Sequence, residues 1–158
     1  MRDIAFASGL LAVAAATVGN AAPARANAPF GFAVHVTLSP KAAAKLAALH
    51  ETITLSASYF GDPAPDAVRH ADEVGQIDLG RQNVEISGAG GTGMIDGRGL
   101  KRARLAWLAK PEPQVNLNVY SSRRSGPNNL LDCTFFQDLV AVATRRPIEL
   151  TCKLIGET

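Results

Sequence analysis

The sequence predicts an all-β domain with one short helix, folded as an antiparallel β-sandwich of immunoglobulin-like or transthyretin-like type. Apolar and polar residues alternate with a period of two in several short segments, as expected of strands with one buried face. These segments recur about every 8–12 residues, with glycine and proline between them. The immunoglobulin order of Cys, Trp and Cys on successive strands is absent, because Trp107 precedes both cysteines.

The alternation is clearest near the end of the chain, where residues 115–121, 130–136 and 148–155 are each predicted to form a strand. The last two of these segments contain the two cysteines of the chain, Cys133 and Cys152. Both cysteines fall at inward positions of the alternation, so the sequence predicts a disulfide bridge between these strands. Closing a loop of this size is worth about 3 kcal/mol in the chain-entropy model.

On the same alternation, Leu131, Cys133 and Phe135 share one face of the 130–136 strand, so all three side chains are expected in the apolar layer.

The N-terminus has the features of a secretory signal peptide. Arg2 precedes an uncharged apolar run over residues 4–18, which is shorter than the roughly 20 residues needed to span a bilayer. Small residues at Ala24 and Ala26 then form a cleavage site. We expect cleavage after Ala26, export to the periplasm or beyond, and one domain over residues 27–158. The alternative is a buried helix over 4–18.

Charge argues against polyanionic partners. The full chain has 16 basic and 14 acidic residues, a net charge of +2. Removing the leader takes away Arg2, Arg25 and Asp3 and leaves a net charge of about +1. A charge this close to zero gives no reason to expect binding to nucleic acid or to an anionic membrane, and no membrane span is predicted.

The mature domain opens with a predicted strand at residues 32–38, which places His35 on the polar face. Ser39 and Pro40 then supply an N-cap and a first-turn proline for a helix over residues 41–49. Residues 51–59 return to strand alternation, with their inward positions occupied by Ile53, Leu55, Ala57 and Tyr59.

The middle of the chain is less regular. Residues 61–65 break the strand with two prolines and a glycine, and 66–74 are expected to form a loop or one helical turn. Residues 76–79 and 83–87 suit two short strands or one bent strand. Residues 100–108 fit a helix and a strand equally well, so both remain open.

A glycine-rich segment, residues 88–93, matches the G-x-G-x-x-G pattern of dinucleotide-binding loops. That chemistry needs a helix opening at the last glycine, and Gly97 and Gly99 soon afterwards oppose one. We therefore predict a flexible connection between strands, with a possible short strand at Met94 and Ile95, and no cofactor.

Residues 121–129 are the predicted ligand-binding segment. Two arginines there can grip a carboxylate, phosphate or sulfate, and hydroxyl and amide groups supply adaptable hydrogen bonds. The candidate ligand-binding residues are Arg123, Arg124, Ser125, Asn128 and Asn129. The alternative is a solvated hairpin connection, which is also how we interpret Arg145 and Arg146.

No catalytic or metal-binding residues are predicted. The spacing of the histidines and nearby acidic residues does not match zinc or calcium motifs. No G-x-S-x-G motif occurs, and a bridged Cys133 offers no thiolate. The residues considered for a metal site are His35, His50, His70, Asp66, Asp72 and Glu73.

These observations favour a soluble, exported, non-enzymatic β-sandwich that binds a protein, a glycan or a small anionic ligand through its loops. A second hypothesis is an inhibitor or immunity-type protein of an extracellular enzyme. A third is a small exported hydrolase that uses acidic residues in the 62–73 region.

Overall fold

The structure, a computed structural model, describes residues 29–158. The predicted signal peptide and its cleavage site after Ala26 lie outside the described residues. The strands are β1 Phe32–Leu38, β2 Ile53–Gly61, β3 Ile77–Ile86, β4 Gly91–Ile95, β5 Gln114–Ser121, β6 Leu131–Cys133, β7 Phe136–Leu139 and β8 Ile148–Leu154. The helices are α1 Pro40–Ala48 and α2 Val140–Ala143, with 3-10 helices at Val68–His70 and Arg102–Trp107.

The strands form two four-stranded sheets. The first has the order β4-β1-β8-β6 and the second has the order β3-β2-β5-β7. Five of the six strand pairings are antiparallel, and the sixth, between β1 and β8, is parallel. Parallel neighbours cannot be joined by a tight turn, and here almost the whole domain connects them. The prediction of a mainly antiparallel β-fold with a short helix is confirmed.

One core lies between the inward faces of the sheets. Val34, Val36 and Leu150 of the first sheet belong to the same buried cluster as Leu55 and Leu117 of the second. The predicted inward set of β2 is fully buried as well, with Tyr59 only 1% exposed. Burying each such side chain contributes roughly 1.5–3 kcal/mol to the free energy of folding. The apolar residues at alternate positions of the strands therefore hold the two sheets together.

Helix α1 begins as predicted. The Ser39 hydroxyl oxygen accepts a hydrogen bond from the Ala42 amide at 3.0 Å, and Pro40 occupies the first helical position. Leu46 is fully buried and anchors the helix to the core. None of the helices between residues 29 and 158 is long and apolar enough to cross a membrane.

The predicted strand over 130–136 is in fact two strands in different sheets. β6 ends at Cys133, and β7 begins at Phe136, which pairs with Leu117 in the second sheet. Crossing from one sheet to the other turns Phe135 outward, and it is 66% exposed. The prediction that Phe135 shares the buried face of Cys133 is therefore wrong.

The bent-strand alternative holds for β3, which runs unbroken past Gly80. Its register with β2 shifts between Tyr59 and Phe60, and Gly80 supplies the positive φ of 99° at that irregularity. Residues 100–108 are neither an α-helix nor a strand, because a 3-10 helix occupies Arg102–Trp107. Of the two alternatives for residues 66–74, a loop or one helical turn, the structure has a 3-10 turn at Val68–His70.

The glycines of the G-x-G-x-x-G segment have structural roles. A Cβ on Gly88 would lie 1.9 Å from the carbonyl oxygen of Glu51, and one on Gly93 would lie 2.5 Å from a methyl of Leu55. Gly90 has a φ of 81°. The predicted flexible connection is partly wrong, because Gly91–Ile95 forms strand β4, whose pairing with β1 orders it.

The predicted bridge joins Cys133 of β6 to Cys152 of β8, with the two sulfurs 2.04 Å apart. The two residues lie directly opposite each other in the antiparallel ladder. Both cysteines of the chain are thereby used.

Candidate functional site: the 122–130 loop and the adjoining sheet face

Residues 122–130 connect β5 of the second sheet to β6 of the first. All five predicted ligand-binding residues lie in this connection, which we call the 122–130 loop. Its contacts divide these residues into those that hold the loop in shape and those that face solvent.

The carboxylate of Glu51 holds the centre of the loop. The amide of Arg124 donates to Oε1 at 3.1 Å, and the amide and hydroxyl of Ser125 donate to Oε2 at 2.8 and 2.6 Å. The Thr52 amide adds a fourth bond at 3.0 Å. Glu51 itself is only 3% exposed. The anion that this loop binds is thus a side chain of the same protein.

Electrostatics favour the ionised form of Glu51. Burial raises the pKa of its carboxyl group, but the Ser125 hydroxyl and the amides of Ser125, Thr52 and Arg124 together outweigh burial and lower the pKa to about 2. At neutral pH the loop is therefore held by hydrogen bonds to an ionised carboxylate.

The guanidinium of Arg124 pairs with Glu85 on β3. Nε donates to Oε1 at 2.5 Å and Nη2 donates to Oε2 at 2.8 Å, a bidentate arrangement. Thr52 also donates to the same carboxylate. Hydrogen bonds from Arg124 and Thr52 lower the pKa of Glu85 to about 2. Arg124 is thus already engaged with a carboxylate of its own chain.

Asn129 closes the loop. Its side-chain oxygen accepts from the amides of Ser121 and Leu131 at 2.9 and 3.0 Å, and its Nδ2 donates to the Leu131 carbonyl at 2.7 Å. These bonds join the end of β5 to the start of β6. Asn129 therefore links the two sheets at this end.

Arg123 and Asn128 are exposed. The Arg123 backbone adopts a φ of 62°, and its guanidinium lies 5.5 Å from the centroid of the Tyr120 ring. No hydrogen bond or ion pair of the Arg123 side chain occurs within the part of the chain that the structure describes. Both arginines are exposed, and among the described residues Arg123 is the one of the two without an ion-pair partner.

The loop adjoins the outer face of the second sheet, which we call the polar face. Tyr120 of β5 links the two, since it lies opposite Thr54 on the sheet and its ring is contacted by Arg123 of the loop. The outward side chains of the polar face are Thr54, Ser56, Ser58, Phe60, Asp78, Arg81, Asn83, Glu85, Gln114, Asn116, Asn118, Tyr120, Gln137 and Leu139.

The residues considered for metal binding lie apart. His35 contacts Thr92 on β4, with Nδ1 3.0 Å from the hydroxyl oxygen, and His70 stacks on Trp107 at a centroid distance of 4.1 Å. Asp72 uses Oδ1 to accept two amides of its own turn. Within residues 29–158, no cluster of three or more metal-ligating side chains is found.

The acidic segment of the hydrolase alternative is spread over the surface. Asp62 lines a cleft of about 300 Å³ together with Glu112 and Lys110. Asp66, Asp72 and Glu73 are exposed and do not line that cleft.

Sequence reasoning missed Glu51 and Glu85 as partners of the loop. A signal for Glu51 was present, because it has the same inward parity as Ile53 and Leu55 in the alternation of β2. A buried carboxylate needs several donors, and a nearby loop rich in amides and hydroxyls can provide them. No comparable signal marks Glu85, whose position is one of many on an exposed face.

Comparison with family models, curated proteins and solved structures returns no match for this chain. Its function is therefore argued from its own residues.

Proposed function

We propose that this chain is an exported, non-enzymatic binding protein that recognises its ligand through the 122–130 loop and the adjoining polar face. The observation that supports this best is the state of Arg123. Its neighbours Arg124 and Ser125 are hydrogen-bonded to the buried Glu51, while the Arg123 guanidinium itself faces solvent. Because the backbone of the loop is already anchored, little further backbone entropy is lost when the loop binds a ligand.

The bridge between Cys133 and Cys152 is consistent with an oxidising compartment, and hence with export. Asn129 and Arg124 act here as positioning residues, because their own hydrogen-bonding groups are engaged within the protein. Ser125 is likewise engaged with Glu51, and Asn128 is available to a ligand.

The test uses purified exported protein as immobilised bait in an extract of exported material from the producing cells. Wild type and the variants Arg123→Ala and Arg145→Ala are compared, and the retained molecules are identified by mass spectrometry. Arg145 is a matched control because it is an exposed arginine that follows α2, near the Gln114 end of β5 and far from the 122–130 loop.

We expect wild type and Arg145→Ala to retain the same ligand, and Arg123→Ala to retain roughly tenfold less, as for a lost charged contact worth about 1.4 kcal/mol. The melting temperatures should agree, because Arg123 is exposed. Equal retention by all three baits would falsify the loop assignment. Recovery of an enzyme in a one-to-one complex would instead support the inhibitor alternative.

A further inference from the structure

The polar face is poor in charge. Of its fourteen outward side chains only Asp78, Arg81 and Glu85 are charged at neutral pH. Glu85 is paired with Arg124, and Asp78 is paired with Lys101 and Arg104. Most of the others carry a hydroxyl or a carboxamide. A solvated sheet face is commonly rich in lysine and glutamate, whereas depletion of these residues is typical of recognition surfaces.

The register arranges these groups in rows across the strands. Ser58 lies between Arg81 and Asn116, and Asn116 lies opposite Gln137 on β7. One row further along the strands, Ser56 lies between Asn83 and Asn118. Adjacent strands are about 4.8 Å apart, so the hydrogen-bonding groups form a regularly spaced array.

Part of this array is free to bind. Asn116 donates to Gln137 at 3.0 Å and Arg81 donates to Ser58 at 2.9 Å. Within residues 29–158, the Asn83 carboxamide has no hydrogen-bonding partner, and Asn118 uses only its oxygen, which accepts from the Val119 amide. Free carboxamides offer both a donor and an acceptor to a ligand.

Aromatic rings stand at the two ends of the array. Phe60 lies at one end of β2, and Tyr120 lies beside Thr54 near the other. Phe60 and Thr54 are six positions apart along β2, which corresponds to about 20 Å of strand. Both rings are half-buried, and the Arg123 guanidinium lies over the Tyr120 ring, so each ring presents only part of its surface to a ligand.

We propose that the polar face binds an uncharged oligosaccharide chain. Sugar rings have apolar C–H faces that can pack on Phe60 and Tyr120, and hydroxyl groups that can pair with the carboxamides and hydroxyls between them. An uncharged ligand suits a face whose hydrogen-bonding side chains are mostly neutral, and an array about 20 Å long suits an extended chain. This inference rests on the proposed function, because it names the ligand class for the same surface.

A protein partner fits less well. Protein interfaces have a central cluster of apolar and aromatic anchors surrounded by a polar rim, whereas here the aromatic rings are at the ends and the centre is polar.

The test is isothermal titration calorimetry of the purified protein with neutral hexasaccharides at millimolar concentration. The three hexasaccharides are built from β-1,4-linked glucose, β-1,4-linked N-acetylglucosamine and α-1,4-linked glucose. Hexagalacturonate serves as the anionic comparison. The variants are Asn83→Ala, Asn118→Ala and Tyr120→Leu, with Thr37→Ala and Thr92→Ala on the outer face of the first sheet as controls. Amide chemical-shift mapping of wild type locates the contact even where a variant folds poorly.

We expect at least one neutral hexasaccharide to bind in preference to hexagalacturonate, with shifts confined to β2, β3, β5 and β7. Asn83→Ala should weaken binding roughly tenfold. No binding of any neutral hexasaccharide, or shifts on the first sheet, would overturn the inference.

Suppose that no neutral hexasaccharide binds but that wild type still retains a protein and Arg123→Ala does not. The proposed function is then supported, and only the assignment of a glycan ligand is wrong. If a neutral hexasaccharide binds the polar face while Arg123→Ala changes nothing, the role of the loop fails and the inference stands.

Discussion

The hydroxyl of Ser125 donates a 2.6 Å hydrogen bond to the carboxylate of Glu51, from a residue 74 positions away in the sequence. Three backbone amides converge on the same carboxylate. This group of bonds ties the start of β2 to the 122–130 loop, and it makes the loop part of the rigid sandwich.

Replacing Glu51 by glutamine should destabilise the protein by about 2 kcal/mol, because hydrogen bonds to a charged acceptor are lost and an amide NH₂ faces donors. Urea unfolding measures the change. Glu73→Gln is the control, since Glu73 is exposed. Identical midpoints for the two variants would contradict the role of Glu51.

Stability should also fall in acid. The folded-state pKa of Glu51 is about 2, below its ordinary value of 4.5, so the folded protein binds this proton more weakly than the unfolded chain. The stabilisation is therefore complete above pH 4.5 and is lost as the pH falls towards 2. The melting temperatures of wild type and Glu51→Gln should therefore approach each other as the pH is lowered from 4.5 towards 2. A constant difference between them would count against the linkage.

Gly88→Ala should be strongly destabilising, by about 3 kcal/mol, because the new methyl group would meet the Glu51 carbonyl oxygen at 1.9 Å. Gly126→Ala is the matched control, since nothing lies within 4 Å of a Cβ there. Chemical denaturation compares the two. If both variants lose only a similar small amount of stability, the backbones of Gly88 and Glu51 are not in close contact.

Removing the bridge with Cys133→Ser and Cys152→Ser together should lower the free energy of unfolding by about 3 kcal/mol. Reductant should lower the stability of wild type by a similar amount and leave the double variant unchanged. The measurement is guanidinium unfolding with and without reductant. A wild type that is insensitive to reductant and no more stable than the double variant would disprove the contribution.

Tyr59→Phe should be neutral or stabilise the protein by up to about 1 kcal/mol. The Tyr59 hydroxyl is buried and has no hydrogen-bonding partner among the described residues. Burial, with a smaller contribution from the Asp96 charge, raises its pKa, so the group stays protonated. A clear loss of stability on thermal unfolding would indicate that a bound water satisfies the hydroxyl.

The sequence predicted the features that depend on local alternation. The strands near 32–38, 115–121 and 148–155, the N-cap at Ser39 and the paired cysteines were all found, because each has a short-range signature. The division of 130–136 was missed, since the crossing between sheets leaves no mark in a pattern of alternating residues.

The candidate loop was located from its composition, but the roles within it were not. Arg123 and Arg124 are equivalent in the sequence, and the fold separates them by bringing Glu85 to Arg124 and Tyr120 to Arg123. Such differences come from partners far along the chain, so no local pattern predicts them.

The carboxamide of Asn129 has one further effect. Strand β6 is at the border of its sheet, and the bonds from Thr134 to Thr151 and from Ile155 to Leu130 imply that the backbone of Leu131 points away from β8. Asn129 engages both the amide and the carbonyl of Leu131, as a neighbouring strand would. The Leu131 amide and carbonyl are therefore not available to pair with a strand of another molecule. This protects the edge of the sheet at β6 against edge-to-edge aggregation.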